Sequence, residues 1–197
     1  MQLLTIDLDT FSQASLLGFA ALTAYILTLL PTNLRMVFPL TKKTGFPQWL
    51  LKYRRLIGLL SFFLAVLHGF IFFKQRNFDV FDLKTYFVYF PGVSTFIILT
   101  LLAITSNDWS VKRLKKNWKK LQSLTYLAMF LVTGHIWDKM SGHWTYLTPV
   151  GIAAITATIV LFLGRVLIER QSRQQKHQPT EGKVTVLTRV LDSISQR

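Results

Sequence analysis

The sequence predicts an all-α integral membrane protein, a bundle of five transmembrane helices with its N-terminus outside and its C-terminus in the cytoplasm. Three observations predict it: an apolar composition, five uncharged runs of spanning length, and basic residues confined to one side. Of the 197 residues, 51% are hydrophobic and 16% charged, and the mean hydropathy is +0.36, which excludes an ordinary soluble enzyme domain. A net charge of +14 would suit a nucleic-acid binder if it formed one patch. The cations instead lie between apolar runs, where they read as membrane-flanking charge, so lipid is expected as a partner and nucleic acid is not. The chain has no cysteine, which excludes disulfides, thiolate metal sites, iron–sulfur clusters and haem attached covalently through cysteine.

The first apolar run covers residues 12–30. It follows a segment carrying Asp7 and Asp9 and no cation, unlike the basic start of a cleaved signal peptide. Runs at 56–73, 90–105, 121–137 and 144–163 follow. Each approaches the roughly twenty residues that cross about 30 Å of hydrocarbon at about 1.5 Å per residue, and none places a charge at its centre, where it would cost several kcal/mol. Pro39, Gly45 and Pro47 make the first loop irregular, with the second helix beginning near Trp49. Beyond the last run, residues 171–182 read as a polar link containing Pro179, and Leu187, Val190, Leu191 and Ile194 form one stripe of a short amphipathic helix. The expected organisation is an external N-terminus (1–11), a membrane domain (12–168) and a cytoplasmic tail (169–197).

Charge sets the orientation. The first loop carries Arg35, Lys42, Lys43, Lys52, Arg54 and Arg55, and the third carries Lys112, Arg113, Lys115, Lys116, Lys119 and Lys120. The tail adds Arg165, Arg170, Arg173, Lys176, Lys183, Arg189 and Arg197, leaving only Lys74, Arg76, Lys84 and Lys139 for the other side. The positive-inside rule then puts the odd-numbered loops and the tail in the cytoplasm, which five spans satisfy.

Two of the 4 histidines, His68 and His135, fall inside apolar runs. An imidazole in hydrocarbon needs a partner and is a functional candidate by default. His68 lies twelve residues past the inner start of its run and His135 fourteen past its own, so on parallel helices they differ in depth by about 3 Å. Such a pair suits the two axial positions of a haem, with both residues as iron ligands. Gly69 and Gly134 beside them would let a flat macrocycle approach the backbone. Phe62, Phe63, Phe70, Phe72, Phe73, Tyr126, Phe130 and Trp137 supply aromatic surroundings. The plainer reading is that both histidines bond to neighbouring helices while the phenylalanines face lipid. His143 reads as a loop residue at the outer rim and His177 as a tail residue. The sequence holds no HExxH, GxGxxG or P-loop pattern, so electrons from a nicotinamide or flavin donor would have to be delivered by another protein.

The runs Tyr53-Arg54-Arg55-Leu56-Ile57-Gly58-Leu59, Leu67-His68-Gly69, Thr105-Ser106-Asn107, Trp118-Lys119-Lys120-Leu121-Gln122 and Gly134-His135-Ile136-Trp137 occur in an order and spacing that resemble the ferric-reductase-like transmembrane domain family. Within it, they resemble the haem-binding membrane subunits of protein-methionine-sulfoxide reductase systems. The resemblance covers about residues 10–164. It implies a b-type cytochrome that serves as the electron-transfer component of a reductase, takes electrons from a separate donor protein or quinol, and passes them to a separate acceptor. The membrane would be a bacterial plasma membrane or a thylakoid.

The chain departs from the family at Gln122, where a histidine commonly stands, and Arg54 and Arg55 occupy the region expected to supply that histidine's partner. One haem b, on the outer side, is therefore expected. A flavin near the basic face, contacted by Arg54, Arg55 and Gln122, is a second expectation. A membrane scaffold or assembly factor that keeps the fold without redox chemistry is the competing one.

Overall fold

The computed structural model describes residues 8–75, 83–140 and 147–177, and every regular element among them is helical. In chain order these are α1 (Leu8–Val37), a 3-10 turn (Pro39–Lys42), α2 (Gly45–Gln75), α3 (Leu83–Ile104), α4 (Asp108–Leu114), α5 (Lys116–Gln122), α6 (Leu124–Met140) and α7 (Leu147–His177). The five long helices coincide with the five apolar runs. Three of them, α1, α2 and α7, are long and apolar enough to cross a membrane by themselves. A fourth, α3, qualifies together with α4 beyond a bend of 93°. With 17 residues, α6 is about 25 Å long, slightly less than the hydrocarbon layer.

The third loop departs from expectation by folding into α4 and α5. Asn107, in extended backbone, caps α4 by accepting the Ser110 amide at 2.7 Å, and Asp108 adds negative charge to the first turn. Lys115 stops α4 with φ 47, a left-handed backbone that a side chain disfavours. The Ser123 amide, shared between the carbonyls of Lys119 and Lys120, then ends α5. The fourth long helix consequently starts at Leu124 and not at residue 121, leaving Gln122 on α5. At the other end of the chain α7 continues through His177, so residues 171–177 are helical where the sequence reads as a link. The amphipathic stripe at 187–194 lies outside the described residues.

Successive long helices alternate in direction. On α1 and α2 the pairs Ala21–Ser61 and Thr32–Arg54 run in opposite order, whereas α1 and α7 run parallel, with Leu22 near Gly151 and Val37 near Gly164. The core gathers Leu22, Tyr25 and Leu29 of α1, Ala128 and Met129 of α6, and Ile155 of α7, flanked by Ile98 and Leu99 of α3. Hence α1 is the central helix. By contrast α2 is far less buried than α1 or α7, with Leu56, Leu60, Phe63, Leu67 and Phe70 along one outward stripe. That stripe suits lipid, in which association rests on close packing and interhelical hydrogen bonds and not on expulsion of water.

Polar side chains inside the bundle find backbone acceptors. The Tyr25 hydroxyl donates to the Thr125 carbonyl, Ser61 to Ala21 at 2.9 Å, and Thr95, Thr133 and Thr158 each to the carbonyl four residues back. Asn33 differs: it is wholly buried, and neither amide atom has a hydrogen-bond partner among the described residues. Because an unmet buried amide costs about 1–3 kcal/mol, Asn33→Leu is expected to raise the thermal unfolding midpoint in detergent; a lowered midpoint would show that the amide does have a partner.

Candidate functional site

The bundle has one strongly basic end. There Arg55 of α2 donates to the Ser106 carbonyl at the end of α3 and pairs with Asp108 of α4 at 2.7 Å. Arg54 reaches Thr32 Oγ1 of α1 at 3.4 Å, and Gln122 reaches Thr105 Oγ1 at 3.4 Å. Trp118 donates to the Thr105 carbonyl at 3.0 Å. On α7, Arg165 is clamped by Glu169 at 2.7 Å and by the Tyr126 hydroxyl at 2.6 Å, while the Tyr126 ring stacks on Phe162 at 4.4 Å. The three residues expected to touch a flavin thus gather at one end, and each engages another helix or loop.

Both histidines lie toward the opposite end, each pressed on the backbone of the preceding long helix. His68 Nδ1 is 2.7 Å from the Ala14 carbonyl oxygen of α1. A carbonyl only accepts, so Nδ1 carries the hydrogen and the lone pair of the neutral ring resides on Nε2. One turn along α1, the position a Cβ would take on Gly18 is 2.7 Å from His68 Cε1. His135 repeats the arrangement on α3: a Cβ on Gly92 would be 2.7 Å from its Nδ1, which is buried, and 2.8 Å from its Cε1. Gly92 follows Pro91, which lies inside α3 and lacks an N–H to donate to the preceding turn.

A stacked pair, Phe62 of α2 on Phe96 of α3 at 6.0 Å, relates the two depths. His68 is about 9 Å along α2 from Phe62, and Gly92 is about 6 Å along antiparallel α3 from Phe96, in the same direction. The two imidazoles therefore occupy one layer. Among the described residues α2 and α6 share no extended interface, since α2 packs on α1 and α3, and α6 on α3 and α7.

Among the described residues Gly69 and Gly134 have nothing within 4 Å of a Cβ position, and Gly69 is exposed. Of the expected aromatic shell, Phe62 faces α3, Phe130 packs edge-on to Phe162, and Phe63, Phe70, Phe73 and Trp137 are exposed. Phe72 and His177 have no described side chain and His143 is outside the described residues. No group of three or more His, Cys, Asp or Glu is placed to hold a bare metal ion among the described residues.

Sequence reasoning missed Ala14, Gly18 and Gly92, though a signal existed. Counted inward from the outer ends of the apolar runs, Gly18 is six residues deep and His68 five, while Gly92 and His135 are two deep each.

Fold and site define the class: a helical membrane bundle with two histidines in one layer, each packed on the long helix before its own. A family described as "Ferric reductase like transmembrane component" matches residues 17–133, and the chain belongs to that family. The match includes His68 and ends two residues before His135. The chain is also 33% identical over 158 residues to proteins of Brucella ovis and Brucella canis, each named "Protein-methionine-sulfoxide reductase heme-binding subunit MsrQ". That similarity covers 75% of this chain and 64% of each relative, so the chain spans less than two thirds of their length. Family and apolar helices together make this an integral membrane protein.

The stapling at the basic end yields a graded expectation. The Arg55–Asp108 pair is exposed on both sides, so Asp108→Ala is expected to cost less than about 1 kcal/mol. Arg55→Ala, which also strips the Ser106 carbonyl of its donor, is expected to lower the unfolding midpoint further; equal effects of the two variants would refute the carbonyl contact.

Proposed function

We propose that this chain is a membrane b-type cytochrome that relays electrons through one haem held between α2 and α6, as the transmembrane component of a reductase system. The observation that carries the proposal is the pair of imidazoles in one layer of the bundle, on two different long helices. The donor chemistry fits. A ligating histidine characteristically donates its other ring nitrogen to a backbone carbonyl, which fixes the tautomer and raises the basicity of the ligand, and His68 does so to Ala14. When bound, a haem would supply a one-electron iron couple whose potential its ligands and surroundings set.

The remaining residues of this chain bind, orient and exclude water. His68 and His135 would hold the haem iron, and Gly69 and Gly134, which lack side chains, would let a flat macrocycle approach the backbone. All five long helices cross the membrane, with the basic end cytoplasmic, so the histidine layer lies in the outer half of the bilayer. Arg54 is about 21 Å along α2 from His68, and with Arg55 it forms a mouth suited to lipid headgroups or an acidic partner. Arg54, Arg55 and Gln122 are engaged within the bundle, so their first role is to staple its basic end, and no flavin step is assigned to them. The donor is a separate protein or a quinol, and the acceptor is likewise separate. The name of the Brucella relatives supports a haem-binding role in methionine-sulfoxide reduction, in a bacterial plasma membrane or a thylakoid.

The test is a dithionite-reduced minus oxidised spectrum of the detergent-purified chain, with haem stoichiometry by pyridine haemochrome. A b-type α band with about one haem per chain is expected, with haem lost in His68→Ala and in His135→Ala. A colourless wild type from haem-replete cells would instead favour a scaffold, and haem retained in both variants would rule out these ligands.

A further inference from the structure

We propose that Gly18 and Gly92 are positioning residues for the two histidines, setting the planes of the imidazoles from the neighbouring helices; the proposal rests on the haem reading above. The case is geometric. A Cβ on Gly18 would be 2.7 Å from Cε1, 2.9 Å from Nδ1 and 3.4 Å from Nε2 of His68. A Cβ on Gly92 would be 2.7, 2.8 and 3.5 Å from Nδ1, Cε1 and Cγ of His135. Carbon atoms rest at about 3.5–4.0 Å, so in both cases the ring occupies the space of the missing methyl group. No other described glycine meets an atom closer than 3.0 Å: Gly151 would meet Leu22 Cδ2 at 3.2 Å, Gly58 and Gly164 only a methyl group at 3.7 Å, and Gly69 and Gly134 nothing within 4 Å among the described residues. Each of the two intramembrane histidines, on a different helix, thus has its own glycine on a different neighbour.

A ring laid on bare backbone turns less freely than one laid on a mobile side chain. At His68 the restraint is doubled, because Ala14 and Gly18 are four residues apart on one face of α1: the first takes the Nδ1 hydrogen and the second supports the ring. The backbone of α1 has little freedom to retreat, since Leu22, Tyr25 and Leu29 anchor it in the core. A methyl group at either glycine must therefore rotate the imidazole or part the helices. Rotation alters ligand overlap with iron, and loss of such outer-shell support typically costs 10–100-fold in affinity.

Two readouts on the full chain test the proposal, with Gly58→Ala as the neutral control. The first is a double-mutant cycle in thermal unfolding: Gly18→Ala is expected to lower the midpoint of the wild type and to lose most of that cost in a His68→Ala background. Equal cost in both backgrounds would overturn the contact. Gly92→Ala with His135→Ala forms an independent cycle should the first variant fail to fold. The second readout uses haem-loaded protein. The glycine variants are expected to show shifted low-spin electron paramagnetic resonance g values, a moved midpoint potential and about tenfold weaker haem retention, all unchanged in Gly58→Ala. Coupling in the cycles with unaltered spectra and potential would reduce the glycines to packing and overturn the positioning role. A wild-type chain without haem would remove the ligand reading and the role resting on it, while the cycles would still report the ring contacts.

Discussion

An imidazole inside hydrocarbon must be met by whatever stands beside it, and here that is the backbone of the neighbouring helix. The requirement shapes much of the bundle. To bring the Ala14 carbonyl and the bare face of Gly18 onto His68, α1 has to lie tightly along α2. To present Gly92 to His135, α3 has to do the same along α6. The two helix pairs are then joined through the core of Leu22, Tyr25, Leu29, Ala128, Met129 and Ile155, with α7 completing the wall. Because lipid gives no hydrophobic force between helices, close approach at small residues and hydrogen bonds to carbonyls carry the association. The same contacts that hold the helices together orient the histidines.

The opposite end is built on another principle. There the side chains are long and charged, and they reach across gaps: Arg54 to Thr32, Arg55 to Ser106 and Asp108, Arg165 to Glu169 and Tyr126. The near-perpendicular α4, capped by Asn107, lets the chain turn back between α3 and α6. A bundle precise around its histidines and basic at its far end suits a relay whose cofactor is sheltered and whose partners meet the protein at its surfaces. In the proposed reading the rigid layer tunes the haem, while the cationic end fixes topology.

Much of the architecture was legible because hydropathy and charge report directly on a membrane. All five runs became long helices, and the described cations of the first and third loops fell at one end of the bundle. The third loop does not read as helical in the sequence, although Asn107 followed by Asp108 is a capping signal; the apolar period that usually accompanies one is too short over α4 and α5. At the site, His68 and His135 were legible because polar groups are rare in apolar runs. Gly69 and Gly134 drew attention by adjacency, whereas the glycines touching the rings, Gly18 and Gly92, lie on other helices. Adjacency along a helix points neighbouring residues about 100° apart, so contacts to a ring come from across the interface, and only the matching of depths could have revealed them. Gln122 was read against a family pattern, and its contact with Thr105 depends on the break at Ser123.

The central claim is that His68 and His135 hold one haem together. Near-infrared magnetic circular dichroism of the oxidised, purified chain reports both axial ligands of a low-spin haem at once. The charge-transfer signature of bis-imidazole ligation is expected, lost when either histidine is replaced by alanine. A signature of any other ligand pair in the wild type, or one that survives both replacements, would contradict it.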